Sequence, residues 1–69
     1  MNIRQEDIFK NTLLEEISTL TTILENLEIN NQNKNKIINT TKKLIKANNY
    51  LSNNKVQDTI QVLATIKMP

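Results

Sequence analysis

The sequence predicts an all-α fold: a helical hairpin followed by a third short helix, with two copies pairing into a homodimeric helical bundle. The 69-residue chain contains no Gly, the residue that supplies the positive φ angles of tight hairpins and phosphate-binding loops. Its apolar residues recur at helical spacing. A chain this short buries only about 60% of its unfolded surface. Because it also lacks Cys and His, self-association is the expected source of additional stability.

The first predicted helix covers residues 12–28 and carries the clearest pattern. Its apolar residues are alternately four and three positions apart, which places them on one helical face. Asn11 or Thr12 can cap its start. Residues 1–10 form either a helical turn that lays Phe9 over the core or a partly disordered segment. The apolar face consists of Leu13, Ile17, Leu20, Leu24 and Leu27.

The second predicted helix covers residues 34–50 and follows a turn rich in Asn. Its apolar face is thinner and contains Ile37, Leu44 and Ile45. Asn48 falls on the same face. A polar residue there can fix the register or the number of partners at a cost in stability. The alternative is that Asn48 lies at a frayed helix end and has no role.

The third predicted helix covers residues 54–67 and completes a single domain of residues 1–69. Asn54 followed by Gln57 resembles a capping box, and Ile60 and Leu63 continue the helical period. The chain has twelve Asn residues. Asn is the residue after Gly that best tolerates the left-handed conformation at helix ends.

The charge is divided along the chain. Residues 1–28 carry six acids and two bases, a net charge of −4, and residues 29–69 carry seven bases and one acid, a net charge of +6. One interpretation is that opposite charges favour an antiparallel hairpin and orient two protomers. The other is that a lysine face binds nucleic-acid phosphates or an acidic partner. A single Arg and no aromatic residue among the lysines argue against base-specific recognition. This face consists of Lys36, Lys42, Lys43 and Lys46.

The residues of an active site are missing from the sequence. Without His, Cys or Trp, and with Ser only at positions 18 and 52, no nucleophile has a base beside it. Glu25 and Glu28 share a helical face, but exposed Glu is ordinarily solvated. We therefore expect no enzyme, no metal or other cofactor and no small-molecule substrate. The absence of a signal segment and of a run of about 20 apolar residues predicts a cytoplasmic protein without a membrane partner.

The order of these features resembles the YmgB/AriR group of small bacterial proteins, which includes YcgZ-like members, over residues 8–66. The resemblance implies hairpin-and-helix subunits that pair into a dimer. It also implies a regulator of biofilm formation and stress response that connects to a two-component phosphorelay, with DNA binding also proposed. The sequence departs from the group by lacking Gly in the first turn and by having Ile45 where an acidic residue is usual. The matching segments are Leu13-Leu14-Glu15-Glu16, Asn26-Leu27, Ile37-Ile38 and Thr59-Ile60-Gln61-Val62-Leu63.

These observations predict a small regulatory or connector protein that binds itself and another regulatory protein. The alternatives are a nucleic-acid-binding regulator and a helical chaperone or antitoxin-like protein. The predicted core and dimer interface consists of Leu13, Ile17, Leu20, Leu24, Leu27, Ile37, Leu44, Ile45, Ile60 and Leu63.

Overall fold

The computed structural model describes residues 5–67, apart from the side chain of Glu6. The described residues form three helices and no strand, which confirms the predicted all-α class and the hairpin with a third helix. The first two helices pack against each other as an antiparallel hairpin, and the third packs mainly against the second. The helices are α1 (Gln5–Glu25), α2 (Lys34–Ser52) and α3 (Val56–Ala64).

The core is a narrow row of side chains along the hairpin. The chain measures 50 × 20 × 15 Å, and its radius of gyration is 13.4 Å. A compact domain of this length would have a radius of gyration of about 11 Å. The molecule is therefore elongated and has little interior for its size. The buried apolar residues are Leu13, Ile17, Leu24, Ile37, Leu44, Ala47 and Leu51.

Helix α1 begins at Gln5, seven residues before the predicted start, so the predicted cap at Asn11 or Thr12 is wrong. The Thr12 hydroxyl donates to the Ile8 carbonyl at 2.9 Å, a bond made inside a helix. No Gly or Pro interrupts this stretch. Phe9 is more than half exposed and does not cover the core. Residues 1–4 of the predicted N-terminal segment lie outside the described residues.

The turn between α1 and α2 begins earlier than predicted, because α1 ends at Glu25. Two Asn residues organise its second half. The backbone N–H groups of Gln32 and Asn33 donate to Asn30 Oδ1, each at 2.9 Å. Asn33 Oδ1 in turn accepts from the Asn30 backbone N–H at 2.8 Å. This reciprocal pair has the bond pattern of a capping box but lies in the turn before α2, whose N-cap Asn33 makes no side-chain cap bond, and the sequence pattern did not indicate it.

Helix α2 ends in a Schellman motif, two residues beyond its predicted end. Asn54 has a φ of 62°, in the left-handed region. The Lys55 backbone N–H donates to the Tyr50 carbonyl at 2.8 Å, and that of Asn54 donates to the Leu51 carbonyl at 3.1 Å. The expectation that Asn ends a helix in the left-handed conformation is confirmed here.

The predicted capping box of Asn54 and Gln57 is wrong. An N-cap residue requires an extended or similar backbone, and Asn54 is left-handed because it terminates α2. Lys55 precedes the first residue of α3 and makes no side-chain cap bond. Helix α3 therefore begins two residues later than predicted, and it also ends three residues earlier.

Two small side chains bring α2 and α3 into close contact. Ala47 and Thr59 both have 0% exposure. The Thr59 hydroxyl donates to the Lys55 carbonyl at 2.8 Å and lies 3.5 Å from the Ala47 carbonyl oxygen. The hydroxyl is therefore satisfied inside the interface, which lets a polar residue occupy the most buried position of α3.

Candidate functional site

An open groove runs between α1 and α2. Its lining residues lie between Leu14 and Glu25 on α1 and between Ile37 and Asn48 on α2, and none belongs to α3. The groove has a volume of about 670 Å³. Helix α3 therefore covers one side of the hairpin and leaves this side open.

The groove has an apolar floor and walls of mixed character, in which large aliphatic side chains stand beside polar ones. The walls expose Leu14 of α1, which is 45% exposed, and Ile45 of α2, which is 58% exposed. Large aliphatic side chains with this exposure are costly in water unless something covers them. The floor consists of the core residues Ile17, Leu24, Ile37 and Leu44.

Threonine hydroxyls in the groove already have partners within their own helices. Thr21 donates to the Ile17 carbonyl at 2.7 Å, and Thr41 donates to the Ile37 carbonyl at 2.8 Å. Such bonds use the single hydroxyl donor of each side chain. The groove is consequently more apolar than its residue types suggest, and it is suited to an apolar partner surface.

Asn48 lies inside α2 and lines the groove, so the interpretation of a frayed helix end is wrong. Its side chain is exposed. The other interpretation, that a polar residue on this face fixes the register of a partner, stays a prediction.

The four lysines of the face predicted on α2 differ in their contacts. Lys43 is half-buried, and its ammonium group donates to the Thr65 carbonyl at 3.1 Å, just after the end of α3. The Lys46 ammonium group lies 5.7 Å from the centroid of the tyrosine ring four residues later. Neither contact involves a carboxylate of α1, so the opposite charges of α1 and α2 do not hold these two lysines.

Lys36 and Lys42 are exposed but lie apart. Residues six positions apart are separated by about a third of a turn around the helix and by about 9 Å along it. The four predicted lysines therefore do not form one continuous cluster of free ammonium groups, although all four occur on α2.

Most of the predicted core residues lie together in the structure. Ile45 is the exception, because it faces the groove one position after the buried Leu44 and is not part of the core of a single chain. The buried members are Leu13, Ile17, Leu24, Ile37 and Leu44. Leu20, Leu27, Ile60 and Leu63 are partly buried against them.

Four buried residues were absent from the predicted core. The spacing of Leu44, Ala47 and Leu51 at three and four positions carries a signal that could have identified two of them. Thr40 and Thr59 are the other two. A buried Thr cannot be distinguished from an exposed one by periodicity alone, because its polarity suggests the surface.

The acidic pair considered in the sequence does not share a helical face, because α1 ends at Glu25. Glu25 is at the edge of the groove, whereas Glu28 belongs to the following turn, where its carbonyl accepts from Asn33 Nδ2 at 3.0 Å. Among residues 5–67, no group of three or more His, Cys, Asp or Glu side chains is placed to hold a metal ion. None of the described helices combines the length and apolarity needed to cross a bilayer.

Comparison with known proteins adds no relative to this picture. No family model, curated protein or solved structure matches the chain. The resemblance to the YmgB/AriR group therefore stays a prediction.

Proposed function

We propose that this chain is a non-enzymatic regulatory protein of the connector type, which acts in the cytoplasm as a homodimer and uses the open groove as its dimer contact. The observation that carries the proposal is the open groove, in which Leu14 and Ile45 are 45% and 58% exposed. These side chains lie beside an apolar floor, and exposed aliphatic side chains grouped on one open face are typical of a surface that packs against a partner.

The groove is suited to self-association because the same surface carries projecting apolar side chains and an apolar floor that can receive them. Exposed Leu14 and Ile45 project from its walls, and the apolar floor lies between them. In a two-fold symmetric pair the same patch meets itself, so each projecting side chain can enter the groove of the other copy. Helices pack in this way when the ridges of one surface fill the grooves of another.

Replacing Ile45 by Asp tests the dimer. We expect the wild type to be a dimer at micromolar concentration by sedimentation equilibrium, and Ile45→Asp to be a folded monomer, since pairing would bury an unpaired carboxylate. The control is Ile29→Asp, the same change at a residue that is 67% exposed in the turn outside the groove. A monomeric wild type, or a dimer unaffected by Ile45→Asp, would contradict the proposal.

The regulatory part of the proposal rests on the resemblance to the YmgB/AriR group. A connector must bind a second protein in addition to its own copy, and affinity capture from the native host tests this. Recovery of a phosphorelay component that binds the purified dimer directly would support it. A chain that recovers only itself would restrict the proposal to self-association.

The two alternatives receive less support from the described residues. Nucleic-acid binding by the lysine face is less favoured because Lys43 and Lys46 already have partners. A chaperone or antitoxin-like protein would use the groove to cover an apolar helix of another protein. In that case the wild type would be a monomer that keeps the groove free, which the sedimentation experiment separates from a homodimer.

A further inference from the structure

The α1 rim of the groove is acidic. Glu15, Ser18, Thr22 and Glu25 recur at intervals of three and four residues and so form one row along α1. Three of these residues line the groove. The only base in α1 is Lys10, whose ammonium group donates to the side chain of Asn54.

The α2 rim of the groove is basic. Lys34, Ile38, Lys42 and Ile45 form a corresponding row on the outer side of α2. All four are exposed, Ile45 lines the groove, and the helix contains no acidic residue. Lys34 and Lys42 lie outside the groove lining, as Glu15 does on α1, so carboxylates and ammonium groups flank the apolar groove on opposite helices.

Symmetry allows two ways to pair such hairpins face to face. A two-fold axis parallel to the helices places α1 of each copy over α2 of the other. An axis across the helices, within the interface, places α1 over α1 and α2 over α2. The second arrangement opposes like charges along both rims, which is unfavourable, whereas the first opposes unlike charges along both.

We infer that a second copy docks with its α2 against α1 of the first, so that Glu15 and Glu25 face Lys34 and Lys42 of the partner subunit. The inference rests on the proposed homodimer and specifies its geometry. The apolar floor and walls hold the copies together, while the charged rims select which helices meet.

The dependence of the dimer on sodium chloride distinguishes the two arrangements. Between about 0.01 M and about 1 M salt the screening length falls from about 30 Å to about 3 Å. We expect the dissociation constant of the wild type to rise about ten-fold over this range, because several weak rim pairs are lost. A dimer that becomes tighter as salt is added would overturn the inferred geometry.

Charge reversal gives a second test. We expect E15K/E25K and K34E/K42E each to self-associate about ten-fold more weakly than the wild type at low salt, because each opposes like charges along both rims. Mixing the two variants restores both unlike pairings, and a heterodimer of near wild-type affinity should form. In the like-on-like arrangement neither variant alone would be weaker than the wild type.

The matched control is E16K/D58K, which makes the same change in net charge at exposed residues that belong neither to the groove lining nor to the two rows beside it. We expect this variant to self-associate like the wild type at low salt. Equal weakening of E16K/D58K and E15K/E25K would show an effect of net charge and overturn the inference.

Failure of the geometry differs from failure of the dimer. If Ile45→Asp abolishes self-association but the rim variants associate as well as the wild type, the homodimer stands and the inferred pairing of α1 with α2 is overturned. A wild type that is monomeric at all salt concentrations would overturn both.

Discussion

The two sides of α2 differ in how completely their side chains find partners. On the side packed against α3, Ala47 is fully buried and the Lys43 ammonium group is bonded to the Thr65 carbonyl. On the groove side, Ile45 is 58% exposed and Asn48 is exposed. Helix α2 thus has one side that α3 of the same chain covers and one side that stays exposed along the groove.

The difference lies in the side chains at the two contacts. Small Ala47 and Thr59 let α2 and α3 approach closely, and the Thr59 hydroxyl bonds within α3. On the other side, bulky Ile45 is left 58% exposed by the packing of the described helices. The α3 side therefore contributes to folding, and we assign the groove side to association. Adjacent residues of α2 separate the core from the exposed groove wall, since each position rotates by about 100°: Leu44 is buried at the groove floor, and Ile45 is exposed in its wall.

Substitutions of Leu44 and Ile45 give the largest expected difference in the free energy of unfolding. Leu44 is 4% exposed, so Leu44→Ala should lower the free energy of unfolding by about 2–5 kcal/mol. Because small domains are stable by only about 5–15 kcal/mol, this variant should be close to unfolded. Urea titration followed by circular dichroism, at a protein concentration where the wild type is monomeric, measures the change.

Ile45→Ala is the matched control for Leu44→Ala. It should leave the unfolding free energy of the monomer within about 0.5 kcal/mol of the wild type, while weakening self-association measured by sedimentation. A large loss of monomer stability in Ile45→Ala would show that the groove side also supports the fold and would remove the distinction between the two sides.

Larger side chains at positions 47 and 48 test the same difference between the α3 side and the groove side of α2. Ala47→Leu forces a larger side chain between α2 and α3 and should cost about 1–3 kcal/mol in unfolding free energy. Asn48→Leu adds an apolar side chain to the open groove and should leave monomer stability nearly unchanged. Since a polar residue on a packed face opposes association, Asn48→Leu should lower the dissociation constant of the dimer. Weaker association would indicate that the Asn48 amide itself makes a bond to the partner.

Helical period was sufficient to predict the class of fold and most of the core. The row from Leu13 to Leu24 is predictable because a four-and-three spacing admits a single buried face. Helical period does not distinguish Leu44 from Ile45. Both are large aliphatic residues at adjacent positions, and only the way α1 and α3 pack around α2 decides that one is buried and the other is exposed in the groove wall.

Helix ends were predicted less well because Asn serves several purposes. Asn54 matches the first position of a capping box in sequence, but it terminates α2 with a φ of 62°. Asn30 and Asn33 form the reciprocal bonds of a capping box in the turn before α2, with Asn replacing the usual Glu or Gln at its last position. The side chains are the same, and the backbone conformation that distinguishes their roles depends on where the neighbouring helices pack.

Substitutions of Lys43 and Lys42 give the smallest expected difference in stability, because the two residues differ only by the contact that the Lys43 ammonium group makes. Lys43→Met keeps the aliphatic stem but removes the ammonium group that donates to the Thr65 carbonyl. A cation at the end of a helix is worth about 0.3–1 kcal/mol at low salt. For a domain of this size, a loss of about 0.5 kcal/mol lowers the melting temperature by about 2–4 °C.

Lys42→Met removes the same charge from the exposed groove side and is the matched control. Its melting temperature under monomeric conditions should equal that of the wild type, so the difference between the two variants isolates the Lys43 contact from the change in net charge. Because salt screens the interaction of a cation with a helix end, this difference should shrink as sodium chloride is added. If it persists in high salt, packing of the Lys43 stem, and not its charge, distinguishes the α3 side from the groove side.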